Sequence, residues 1–287
     1  MKNALWLLFA GFALSSVPCG GASQAPSGIP NRQIIAIPFA VQHDFLVVID
    51  GQIGDVPGLK FILDTGATRS IVDTRIANRL SLPLRPGKVL NYDRFASVGW
   101  TSLPQLQVGA VQFHDFPVMV GDLRRFSEFT DNVDGILGLD ILASATSILI
   151  DYPRHLVIFT ELHGGRGRPE SEASAFTVQV TMQGQPVRLI IDTGRAGMLL
   201  YVDRIRKHTS RLQIGLTATG AQEGRLAVQE SALPGVRFGP EELRLSAVLL
   251  SRAPDSLPQD IDGYVGTDLL RAQRIEIDFA THTIRWQ

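Results

Sequence analysis

The chain has 287 residues, 45% of them hydrophobic, which is enough to bury a substantial core in one large domain or two ordinary ones and argues against disorder. Its 27 Lys and Arg nearly balance 28 Asp and Glu, so neither a basic nucleic-acid-binding surface nor an acidic solvating tail is indicated. With one cysteine, no disulfide can form within the chain, and stability must come from packing.

Lys2, the apolar run from Ala4 to Leu14 and the small residues that follow have the layout of an export signal, and the run is too short to span a bilayer as a helix. Residues 1–22 therefore read as a signal peptide cleaved after Ala22, and the mature protein as soluble and exported, periplasmic or extracellular. Cys19 stands where a bacterial lipoprotein carries its acylated residue, although Ser16-Val17-Pro18 fits that pattern poorly. A lipid anchor at Cys19 is the alternative, and the mass of the mature N-terminus tells the two apart. Residues 23–33, rich in Gly, Ser and Pro, read as a flexible lead-in.

An internal repeat organises the rest. Phe61-Ile62-Leu63-Asp64-Thr65-Gly66 recurs as Leu189-Ile190-Ile191-Asp192-Thr193-Gly194, an offset of 128 (192 − 64). Asp134-Gly135-Ile136-Leu137-Gly138 through Leu142 recurs at the same offset as Asp262-Gly263-Tyr264-Val265-Gly266 through Leu270. Leu103-Pro104 and Gly109 match Leu233-Pro234 and Gly239, and Ile150-Asp151-Tyr152 through His155 matches Ile277-Asp278-Phe279 through His282. Four landmarks in one order divide the chain into two homologous lobes, 34–160 and 174–287. Residues 161–173 between them, with His163-Gly164-Gly165-Arg166-Gly167-Arg168-Pro169, read as an exposed linker.

Within each lobe the pattern is mostly strand. Phe45 to Ile53 and Lys60 to Leu63 read as a hairpin with a long connection, and Thr177 to Met182 and Val187 to Ile191 as its counterpart. Asp73 is placed to cap a helix over Thr74 to Leu80, and Asp203, after a two-residue insertion, one over Arg204 to His208. Asp140 and Asp268 also read as helix caps. Many strands, few helices and frequent Gly and Pro breaks predict an all-β chain with a small closed or nearly closed barrel in each lobe and a cleft between them.

A lone Asp-Thr-Gly is commonly a surface turn; here each copy follows three apolar β residues that draw its carboxylate toward the core. The Gly permits a tight turn whose N–H groups face the carboxylate, and the Thr hydroxyl can bond across an interface. The glycines of Ile136-Leu137-Gly138 and Tyr264-Val265-Gly266 would let another backbone pass close by. Two such turns face to face would place two carboxylates at one site, sharing a single proton, so that one accepts a proton from water while the other donates one to a carbonyl oxygen.

At these residues the chain resembles the retropepsin-like aspartic peptidases, the clan that includes pepsin, in a tandem two-lobed bacterial form. Asp64-Thr65-Gly66-Ala67-Thr68 with Ile136-Leu137-Gly138 carries the resemblance. It implies a catalytic dyad of Asp64 and Asp192, supported by Thr65, Gly66, Thr193 and Gly194; Ala67 and Arg195 next to these turns read as substrate-binding. It also implies a polypeptide substrate, no cofactor, a monomer, and a flap over substrate, for which Asn91 to Trp100 and Ala218 to Arg225 are the candidates. Lobe 2 departs from the pattern at Arg195-Ala196-Gly197, where a small residue is usual. Such an Arg would either lower the pKa of the dyad and perturb the proton-sharing or bind a substrate carboxylate. Two alternatives stay open: a peptide-binding pseudo-peptidase that has lost turnover through lobe 2, and a peptidase active only as a lobe-1 homodimer.

No metal spacing appears among the six histidines, and His155 and His282 read as structural. Asp131-Asn132-Val133-Asp134-Gly135 lacks the closing Glu of a calcium loop, and no Walker or dinucleotide fingerprint occurs, so no metal or cofactor is implied.

Overall fold

In Ile34–Gln42 the side chains of Ile35, Ile37 and Phe39 are buried while Ile34, Ala36 and Pro38 face outward, the period of two of a strand with one face on a core. That pattern recurs along the chain, and the protein is all-β. The computed structural model describes residues 33–91, 94–126, 133–166, 175–208, 229–238, 241–250 and 252–287. The signal peptide, Cys19, residues 23–32 of the lead-in and the flap candidate Ala218 to Arg225 lie outside them, as do residues 167–173 of the linker and residues 92–93 of the flap candidate Asn91 to Trp100.

The strands of the first half are β1 (Ile34–Gln42), β2 (Leu46–Ile53), β3 (Val56–Leu63), β4 (Ile71–Asp73), β5 (Arg85–Asn91), β6 (Arg94–Val108), β7 (Val111–Gly121), β8 (Gly135–Leu137), β9 (Ser147–Asp151), β10 (Leu156–Thr160) and β11 (Gly165–Arg166). Those of the second are β12 (Thr177–Met182), β13 (Gln185–Asp192), β14 (Met198–Tyr201), β15 (Gln229–Phe238), β16 (Glu241–Leu250), β17 (Gly263–Gly266), β18 (Arg274–Asp278) and β19 (Thr283–Trp286). The helices among the described residues are short: α1 (Thr74–Arg79), α2 (Leu123–Phe126), α3 (Leu139–Leu142), α4 (Val202–His208) and a 3-10 turn at Thr267–Leu270.

Strands β12-β13-β17-β14-β16-β15 close into a barrel. In the first half β2-β3-β8-β4-β7-β6 pair in the same cyclic order, and Gly51 to Ile53 of β2 closes that ring against Leu106 to Val108 of β6. Parallel and antiparallel pairings also correspond: β3–β8 and β13–β17 are parallel, β4–β8 and β14–β17 antiparallel, β4–β7 and β14–β16 parallel.

The hairpins that end each half pair with one another. Strand β9 runs antiparallel to β18, with Ile150 opposite Ile275 and Ile148 opposite Ile277. At the centre Leu149 faces Glu276, its own counterpart at an offset of 127 (276 − 149), as in a two-fold symmetric subunit interface. Ile275 and Ile277 are fully buried in the same apolar cluster as Val47, Phe61 and Leu103. The turns of these hairpins repeat as well: His155 and His282 take left-handed conformations (φ 53° and 52°), and their rings pack on Phe39 and Phe176, with centroids 5.5 and 4.6 Å away.

Three local expectations change. The β2–β3 connection is only Gly54-Asp55, a tight turn entered at φ 52°, because strand pairing extends to Val56. Asp203 is not a cap: α4 starts at Val202, one residue before it, and the Asp203 carboxylate accepts from the Ala253 N–H at 3.0 Å instead. The start of the linker is tied down: Leu162 is buried in the core, and after the exposed His163 and Gly164, Gly165 and Arg166 pair with β7. Asp73 does cap α1, accepting from the Arg75 N–H at 2.8 Å.

Because Ile275 is fully buried where the two halves share a sheet, Ile275→Ala should lower unfolding free energy by about 2–5 kcal/mol, measured by urea denaturation.

Candidate active site

Buried Phe61, Ile62 and Leu63 anchor β3 beside β8, and the Asp64 N–H closes that ladder on the Leu137 carbonyl at 3.0 Å. Leu189, Ile190 and Ile191 do the same for β13 beside β17, ending at Asp192 opposite Gly266. Each aspartate thus leaves a central strand where its backbone is held and its carboxylate has only the following turn and the other half to face. The Asp64 Oδ1 accepts from Gly66 and Ala67 N–H at 2.8 and 3.0 Å, and the Asp192 Oδ1 from Gly194 N–H at 2.9 Å.

The threonines join the two turns. Thr65 Oγ1 donates to the Ile191 carbonyl at 2.8 Å and accepts from the Thr193 N–H at 3.2 Å. Reciprocally, Thr193 Oγ1 donates to the Leu63 carbonyl at 2.7 Å and accepts from the Thr65 N–H at 3.0 Å. Both residues are almost fully buried, so every bond in the set would leave an unsatisfied polar group if broken.

The glycines leave room rather than bend the chain. Neither Gly66 nor Gly194 has a positive φ. A Cβ on Gly66 would stand 2.7 Å from Asp192 Oδ1 and overlap its carboxyl carbon, and one on Gly194 would meet Asp64 in the same way, 2.8 Å from its Oδ1. Each carboxylate therefore rests over the opposite glycine. Burial pushes the Asp64 carboxyl well above the usual aspartate range, the Asp192 charge and a side-chain hydrogen bond to Asp192 push it further, and the Gly66 and Ala67 N–H groups oppose them. Asp192, 4% exposed, lies against it, so the pair holds one proton between them.

Around this centre stand residues that sequence reasoning did not single out or misassigned. Asp140 and Asp268 are not helix caps; α3 and the 3-10 turn start from Gly138 and Gly266 without a side-chain cap. Asp140 accepts instead from Ser70 N–H and Oγ, and Ser70 Oγ accepts from Gly138 N–H at 3.0 Å, so the carboxylate braces the loop that follows Asp64. Asp268 braces the loop after Asp192 by accepting from Gly197 N–H at 3.0 Å. Gly138 permits this packing, since a Cβ there would lie 2.7 Å from the Ala67 carbonyl oxygen. Asp134 and Asp262 form a further repeated bracket, accepting at 2.9 Å from the N–H of Lys60 and Arg188. Their carbonyls accept at 2.9 Å from Asp73 and Tyr201. Tyr201, not Asp203, is therefore the counterpart of Asp73, and no insertion precedes this point of the second half.

All eight site residues named from sequence, Asp64, Thr65, Gly66, Ala67, Asp192, Thr193, Gly194 and Arg195, lie in the two facing turns. The halves differ at the third position after each aspartate and across from it. Ala67 packs with Ile136 and Trp100 in an apolar cluster beside Asp64. Their counterparts are Arg195 and Tyr264. The Tyr264 hydroxyl hydrogen-bonds Tyr201, whose ring lies edge-on at 6.3 Å, and it is pushed up to about 12, first by burial and then by the Asp192 charge, with Arg195 opposing.

Residues 49–141, a span that contains Asp64-Thr65-Gly66 and Ile136-Leu137-Gly138, match the family model described as aspartyl protease. Solved structures that match include a retropepsin-like aspartic protease from Rickettsia conorii, at 21% identity over 45% of this chain and 93% of that one, with a TM-score of 0.35. No curated protein matches the chain. The family match likens residues 49–141 to aspartyl proteases and supports peptidase activity.

Two outcomes test the geometry. Gly66→Ala and Gly194→Ala should each cost about 1–3 kcal/mol in urea denaturation, since both force a methyl group into the opposite carboxylate. Asp64, whose pKa is raised on folding, contributes stability that is fully present below the ordinary aspartate range and is lost as pH rises through its folded value. The Tm of Asp64→Asn relative to the unaltered protein should therefore become more positive between pH 4 and pH 7 in paired thermal melts.

Proposed function

We propose that the protein is an aspartic endopeptidase in which Asp64 and Asp192 act together on one water in a cleft between the two halves of a single chain. The observation that carries this reading is the reciprocal contact of the two carboxyls, each seated over the glycine of the other turn and tied by the crossed Thr65 and Thr193 bonds. Buried, hydrogen-bonded carboxyls of equal standing cannot both ionise, which keeps one proton in the pair across a wide pH range; aspartic proteases are the standard worked example of that effect.

With the proton on Asp64, the ionised Asp192 takes a proton from water as the water oxygen attacks the scissile carbonyl carbon, and Asp64 gives its proton to the carbonyl oxygen. Asp192 then gives the proton it took to the amide nitrogen while Asp64 takes one back from a hydroxyl of the tetrahedral species, and the C–N bond breaks to release an amine and a carboxylic acid with the dyad back in its starting state. No covalent enzyme intermediate forms. Thr65, Gly66, Thr193 and Gly194 keep the carboxyls in register, and Ala67 orients Asp64 through its N–H and borders the substrate. The dyad titrates as a unit, so activity falls as pH rises through the higher of its two apparent constants, when the shared proton leaves.

The test is peptide-library cleavage by the purified monomer, compared with Asp64→Asn and Asp192→Asn. Each variant should lose about 1,000-fold or more in kcat/KM while keeping its fold by circular dichroism. Full activity of Asp192→Asn would overturn the single-chain dyad in favour of a site built from two first halves. Absence of cleavage from acidic to neutral pH in a folded protein would favour a peptide-binding role.

A further inference from the structure

The two walls that flank the carboxyl pair are built on equivalent strands yet carry opposite chemistry. On the first half, Ala67 follows the Asp64 turn and Ile136 stands on β8, and both pack into an apolar cluster with Val89 and Trp100 of the β5–β6 hairpin. On the second, the same two positions, 128 residues on, hold Arg195 and Tyr264. Strand register fixes Tyr264 beside the site: it lies opposite Ile190 of β13, two residues before Asp192, and opposite Leu199 of β14. The Arg195 main chain is held against Gly266, where the missing Cβ leaves space for the Arg195 carbonyl oxygen.

The charges in this corner act on one another. Asp192, Arg195 and Asp64 all bear on the Tyr264 hydroxyl, which stays protonated and so remains a donor through the working pH range of the site. The influences on Asp64 are burial, Asp192 and the N–H groups of its own turn. A half-buried guanidinium next to a phenol donor matches a carboxylate, which can accept from both in a site of reduced water content.

We infer that the second-half wall is a subsite for an acidic substrate side chain, with Arg195 as its ion-pair partner and Tyr264 as a second donor, opposite an apolar subsite at Ala67 and Ile136. This rests on the peptidase reading above and sets its substrate class: polypeptides with an apolar side chain on one side of the cleaved bond and Asp or Glu on the other.

The test uses the purified chain and fluorogenic peptides that differ only in Glu against Gln at each position flanking the cleaved bond. At one position, on one side only, the Glu peptide should be cleaved with kcat/KM about tenfold or more above its Gln partner at pH 6. That ratio should shrink below about pH 4, where the substrate Glu loses its charge. Arg195→Gln should bring the ratio to near one, Arg195→Lys should restore part of it, and Tyr264→Phe should lower it. Reading a ratio separates substrate recognition from any general loss of activity. Equal cleavage of both peptides at every position, or a ratio that survives Arg195→Gln, would overturn the subsite. If neither peptide is cleaved, the catalytic reading fails separately, and calorimetric binding of the same pair decides: a Glu preference that vanishes in Arg195→Gln upholds the subsite, and equal binding overturns it.

Discussion

The constraint on which the rest depends is that two carboxyls are held against each other inside an apolar sheet structure. Each would be costly alone, and together they repel whenever both ionise. Their separation cannot relax, because Thr65 and Thr193 each bond to the strand that delivers the opposite aspartate. Much else in the two halves serves that contact: Gly66 and Gly194 make space for it, Asp140 and Asp268 hold the loops that follow, and Asp134 and Asp262 tie the strands beneath. The proton affinity of Asp64 is the electrostatic sign that the constraint is maintained.

The halves meet as two subunits of a symmetric dimer would, with Leu149 against Glu276 at the centre of the shared sheet and the threonine bonds crossing above. Within one chain, however, symmetry is not enforced by identity of sequence. Tyr201 replaces Asp73 while keeping the same backbone bond, and Gly197 takes the bonding role of Ser70 one residue earlier in its loop. Backbone geometry is retained where side chains have changed.

Much of this was legible in the sequence because the repeated segments are those whose main chain is hydrogen-bonded at the centre, and such segments tolerate few residues. The all-β class, the Asp-Thr-Gly turns at the ends of buried strands and the close packing at Gly138 follow from local rules. Where reading failed, a long-range bond had replaced a local one. Asp140, Asp203 and Asp268 look like helix caps because they precede or enter short helices, yet their partners are Ser70, Ala253 and Gly197, each far away in the chain. Asp203 also drew the alignment two residues out of register, and the Tyr201 bond to Asp262 and the pairing of Leu199 with Tyr264 correct it. The bracketing role of Asp134 and Asp262 had a signal, an acidic residue repeated at the common offset, but no local pattern to say what it accepts from.

The unlike pair Ile136 and Tyr264 has a consequence for direction. A peptide laid across a true two-fold axis can run from N- to C-terminus either way at equal free energy, and the site cannot tell its ends apart. Placing a branched alkyl group on one wall and a phenol on the other removes that degeneracy. On the peptidase reading proposed above, the chain polarity of a bound polypeptide then becomes a quantity the site can read, which identical subunits cannot achieve without help from the ligand.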